Sequence, residues 1–91
     1  MNIPSNQDIM ASNFYKSLIE GEKCRIVNNE YAIWYLESLK YRLAETESVN
    51  IDFEIDEYKN DISMAIDTIR KAQESIIYIK RRVQDGWYDV L

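Results

Sequence analysis

Apolar positions are most regular between Ile55 and Val83. Ile55, Tyr58, Ile62, Ala65, Ile69, Ala72, Ile76, Ile79 and Val83 follow one another at alternating steps of three and four. That spacing is the seam of a long helix packed against other helices. Set as a and d positions, every a residue is β-branched, which favours two-stranded parallel pairing when Leu occupies d; here d holds Tyr58, Ala65, Ala72 and Ile79 instead. The alanines allow a partner helix close approach. Ile66 and Ile77 widen the stripe towards the broad face of a bundle helix.

Upstream, the pattern predicts two shorter helices. The first runs from about Asn6 to Glu20, with Ser5 as N-cap, Asp8 three residues on in a capping-box-like arrangement, and Gly21 as the terminating glycine. Its apolar face is Met10, Ala11, Phe14 and Leu18, with Tyr15 and Ile19 beside it. The second runs from about Glu30 to Glu47, with Asn28 or Asn29 as N-cap. On its wheel Ala32, Leu36, Leu39 and Leu43 share one arc, and Tyr31, Trp34, Tyr35 and Tyr41 lie roughly opposite. An aliphatic and an aromatic face suit the middle helix of a bundle. They also suit a helix whose aromatic face meets a partner, since Trp and Tyr are enriched at interface hot spots.

Two stretches compete with this all-helical reading. Val49 to Asp56 alternates apolar and polar residues as a strand does. The one candidate to pair with it is the region of Lys23 to Val27. The expected fold is therefore all-α, a single domain over residues 1–91 built as a three-helix bundle. The alternative is α+β, with a two-stranded sheet from about 23–28 and 49–55. If 49–55 is no strand, Asn50 or Asp52 caps an early start of the third helix. Asp85-Gly86 signals that helix's end, and the apolar tail Trp87–Leu91 is expected to fold back on the bundle or to meet a partner.

Self-association follows from length. About thirty residues of third helix span about 45 Å, and a first helix of half that length cannot cover them. Ile62, Ala65, Ile69, Ala72 and Ile76 are thus expected to bury against a second copy, in a homodimer or higher oligomer with coiled-coil character.

Composition narrows the chemistry. The chain has no histidine and one cysteine, Cys24, so an internal disulfide is excluded and the common zinc ligands are scarce. No nucleotide-binding glycine loop or nucleophile elbow is present. Asp52-x-Glu54-x-Asp56 begins like a calcium loop, but Glu57 stands where glycine is required and Ser63 where the bidentate Glu belongs. No enzyme activity, cofactor or metal is expected. The N-terminus lacks signal-peptide features and the longest apolar run, Tyr31 to Leu36, is too short for a bilayer. A cytoplasmic protein without membrane contact is expected.

Charge brings in function. Of the net −5, the stretch from Glu45 to Asp67 holds eight acids against Lys59, and Arg70 to Arg82 holds five bases against Glu74. Acids early and bases late in one helix oppose its macrodipole, which explains their order but not the density of the acids. A dense acidic face suits a basic partner, whose encounter it speeds. Small acidic helical proteins of this build include nuclease immunity proteins, antitoxins and phage-encoded inhibitors of host defence, although no motif assigns the chain to a family. The expected function is a non-catalytic, protein-binding inhibitor or regulator of a basic, nucleic-acid-handling partner. Its contact residues would be Glu54, Asp56, Glu57, Asp61, Trp34, Tyr35 and Tyr41. The rival is an oligomer that binds nucleic acid or a nucleotide through Arg70, Lys71 and Lys80–Arg82, with Tyr78 or Trp87 for stacking.

Overall fold

The computed structural model describes residues 5–43 and 45–84, without the side chains of 45–47 and 84. Two long helices form an antiparallel hairpin: α1 (Asn6–Lys40) and α2 (Glu45–Gln84), with a turn at 41–43 after α1. The fold is all-α, with no strand among the described residues. The rod measures 68 × 14 × 14 Å.

Ser5 caps α1 as its sequence implies. Its hydroxyl accepts from the Asp8 backbone N–H at 3.2 Å and donates to the Asp8 carboxylate at 2.8 Å. Gly21, however, does not end the helix. α1 continues for nineteen further residues, through Asn28 and Asn29, so the first two expected helices are one. Gly inside a helix costs about 1 kcal/mol relative to Ala, which a packed helix of 35 residues absorbs. The gap between the two expected helices has a physical origin. α1 faces α2 through Asp8, Ala11, Tyr15, Ile19, Glu22, Arg25, Ile26, Asn29, Ile33 and Leu36, all buried or half-buried, and the middle of that seam is polar.

Residues 23–28 and 49–55 are helical, so the two-stranded sheet does not form. The alternation at 49–55 divides between two sides of α2: Ile51 and Ile55 turn towards α1, while Val49 and Phe53 turn outwards and are exposed. Asn50 and Asp52 lie within the helix, not at its cap. At the turn, Arg42 N–H donates to Leu39 C=O at 2.9 Å and Leu43 N–H to Lys40 C=O at 3.3 Å, closing α1 without a glycine. The expected stop at Asp85-Gly86 and the tail Trp87–Leu91 lie outside the described residues.

The heptad seam of α2 faces α1 at Ile55, Ile62, Ala65, Ile69, Ala72, Ile76, Ile79 and Val83, all buried or half-buried, whereas Tyr58 of the same seam is exposed. Ile66 and Ile77 are exposed too, so the stripe is not widened into a bundle face. Three cross-helix pairs set its register against α1: Asp8 with Arg82, Arg25 with Asp61, and Lys40 with Asp52. In that register Ile19 falls level with Ala72, Ile26 with Ala65 and Leu36 with Ile55. Ala65 is 0% and Ala72 2% exposed, so α1 occupies the close approach the alanines allow. α1 is as long as the seam needs, and the length argument for a second copy fails. Even so the core is thin. Ile19, Ile55, Ala65 and Ala72 are the buried hydrophobic residues among those described.

Candidate interaction surfaces

The cross-helix polar groups come first, because they decide which charges remain available. Midway along the rod, Arg25 Nε donates to the Asp61 carboxylate at 2.8 Å, and its terminal nitrogens reach Asp61 and Glu22. Asn29 donates to the same carboxylate. The Arg25 hydrogen bond, then that of Asn29, holds the Asp61 carboxyl below its ordinary range, and Asp61 in turn raises Arg25. Lys40 Nζ lies 2.7 Å from Asp52, whose hydrogen bond and charge raise the lysine. Asp67 is lowered by Lys71 first, at 3.0 Å, and by Arg70, at 2.6 Å. Asp8, almost fully buried, pairs with Arg82, which also lies over the Tyr78 ring at 5.3 Å.

Among the acids of the dense block whose side chains are described, three are left over. Glu54, Asp56 and Glu57 are exposed and make no ion pair among the described residues. Glu54 and Glu57 line a shallow groove of about 420 Å³ with Tyr58 and Asp61. Asp56 is about 200° around the helix from Glu54, so the four expected acidic contacts do not share one face. Asp61 differs again: it is half-buried and committed to Arg25 and Asn29.

The expected aromatic and aliphatic faces exist as far as Leu39; the helix ends at Lys40, not near Glu47, so Tyr41 and Leu43 belong to the turn and Leu43 is exposed. Ala32, Leu36 and Leu39 are half-buried on the α2 side, and Tyr31, Trp34 and Tyr35 are exposed. The Tyr31 and Trp34 rings lie 5.7 Å apart. Tyr41 is 92% exposed. With Trp34, Glu37 and Leu43 it borders an open groove of about 660 Å³. The seam residues Ile62, Ala65, Ile69, Ala72 and Ile76 lie between α1 and α2, the alanines buried and the isoleucines half-buried.

One surface was not read from the sequence, because it exists only when α1 is unbroken. Met10, Phe14, Ser17, Gly21, Cys24, Asn28, Tyr31, Tyr35 and Ser38 recur at steps of four and three along the outside of α1, and every one is exposed. None carries a charge, although 30% of the chain is charged. The outside of α1 is therefore an uncharged stripe that carries Met10, Phe14, Tyr31 and Tyr35 exposed.

Among the described residues no group of side chains is arranged to hold a metal ion, and no helix is long and apolar enough to cross a membrane. Compared with known protein families, curated proteins and solved structures, the chain matches none.

Proposed function

We propose that the protein is a non-catalytic binding module that docks on a basic protein surface and blocks or regulates it. The observation that supports this is the set of unneutralised acids. Asp52, Asp61 and Asp67 of the dense block are each tied to a base, whereas Glu54, Asp56 and Glu57 stand exposed on a rigid helix without one. Carboxylates fixed on a rod steer a cationic partner and need no reordering when it arrives. Trp34 and Tyr41, on the same half of the rod, supply apolar area for the desolvated centre of such a contact.

The test is affinity capture from the native host with the wild-type chain and with Glu54→Lys/Asp56→Lys/Glu57→Lys. The expected result is a basic protein retained by the wild type, eluted by salt and lost with the variant. Recovery of the same proteins by both chains would discard the reading.

A second reading is favoured by the open end of the rod. There Tyr15, Lys71, Tyr78 and Arg82 line a groove of about 550 Å³, beside Asp8 and Glu74. Two aromatic rings and two bases are the components of a nucleotide site, although Arg82 is already paired with Asp8 and Lys71 with Asp67. Calorimetry with mono- and oligonucleotides separates the readings, because only a nucleotide binder loses heat of binding on Lys71→Ala.

A further inference from the structure

We infer that the outer stripe of α1 is a self-recognition surface, on which a second copy of the chain packs with its own α1 antiparallel, making a four-helix dimer. The inference goes beyond the basic-partner reading and does not depend on it, since the stripe contains none of Glu54, Asp56 and Glu57.

Symmetry within the stripe is the first argument. A two-fold interface must be complementary to itself. With a dyad between Glu22 and Lys23, Met10 falls level with the partner's Tyr35, Phe14 with the partner's Tyr31, and Gly21 with the partner's Cys24. Large residues meet large ones at both ends, and small ones meet at the centre.

Gly21 is the second. It lies inside a continuous helix, and a Cβ built on it meets nothing within 4 Å. The hairpin itself therefore gives no reason for a residue that costs about 1 kcal/mol there. Close approach of another helix backbone does.

Area is the third. The stripe runs along a helix of 35 residues, about 52 Å, which is long enough to give up the roughly 800 Å² that each partner contributes to a standard interface.

The pattern also fixes the direction, because the dyad that matches Met10 with Tyr35 and Phe14 with Tyr31 runs the two α1 helices antiparallel. The stripe faces away from α2, so each α2 lies on the outer side of the pair. Tyr35 thereby belongs to the contact between copies, while Trp34 and Tyr41 remain at the turn end.

Sedimentation equilibrium and cysteine cross-linking test this together. The wild-type chain is expected at twice its monomer mass. Phe14→Lys/Tyr31→Lys is expected at monomer mass, because both side chains are exposed in the hairpin. Should that variant unfold, cross-linking decides. In a Cys24→Ser background, Met10→Cys mixed with Tyr35→Cys should give a bismaleimide-linked heterodimer, and neither should cross-link efficiently with itself. A wild-type chain monomeric at about 100 μM, or 10–10 and 35–35 cross-links in place of 10–35, would overturn the proposal.

Discussion

Arg25 of α1 and Asp61 of α2 are joined by two guanidinium–carboxylate hydrogen bonds at the middle of the rod, one of them from Nε at 2.8 Å. The pair sits where the α1 seam is least apolar, and Asn29 and Glu22 complete it. A one-heptad slip of the two helices would bring other residues opposite Arg25 and strand the charge. Buried or half-buried polar pairs are well attested as register devices in helical assemblies.

This pair makes stability depend on acid pH. The folded-state pKa of Asp61 is depressed below its unfolded value. Its contribution is therefore complete above about pH 4, the unfolded range of Asp, and is lost as pH falls through the lower folded value. Asp67, also depressed, acts in the same direction. Thermal melts between pH 6 and 2 should show the wild-type Tm falling below about pH 4, with a smaller fall for Asp61→Asn. Parallel pH profiles would show that the pair contributes nothing to stability.

Asp8 serves two structures at once, the N-terminal cap of α1 and the pair with Arg82 at the open end. Asp8→Ala should cost about 2–4 kcal/mol, combining a lost cap interaction with a charged hydrogen bond left unmade. Urea denaturation measures it. A loss under about 0.5 kcal/mol would mean that the open end is frayed in solution.

Ala65 has no exposed surface, and α1 lies directly over it. Ala65→Leu should overpack the seam and destabilise by about 1–3 kcal/mol. Leu at Met64, an exposed neighbour, should change little. Equal effects at the two positions would misplace the face of α2.

Gly21→Ala separates the hairpin from the dimer. An added Cβ meets nothing inside the chain, so helix propensity should raise the stability of a dilute sample by up to about 1 kcal/mol. The same methyl lies next to the dyad of the proposed interface, level with the partner's Cys24, and should weaken association. Sedimentation read beside the melts shows whether the two quantities move in opposite directions. Tighter association would remove the close-approach argument.

The second half of the molecule was legible because its seam is written largely in one residue class. From Ile55 to Val83 the seam that meets α1 is mostly aliphatic, with Asp61 and Arg82 as polar members, so periodicity alone locates it. The first half was not. Glu22, Arg25 and Asn29 occupy inward positions, and their fitness depends on Asp61, thirty-two or more positions away in sequence. With Gly21 beside them they resemble a loop, which is how one helix came to be expected as two. That division also hid the outer stripe, since Met10 and Phe14 share a face with Tyr31 and Tyr35 only along an unbroken helix. Likewise the alternation of Val49 to Ile55 suits a strand when read locally. Only the neighbouring α1 shows which of its two apolar rows is inward.

Every surface described here depends on α1 passing straight through Gly21, and a distance across that glycine tests it most directly. Lys16 and Glu37 are exposed on one side of α1, twenty-one residues apart. Spin labels at these positions, in a Cys24→Ser background diluted with unlabelled protein, should lie about 32 Å apart at 1.5 Å per residue. A distance distribution centred below about 20 Å would mean that the chain reverses at Gly21, and would contradict the hairpin.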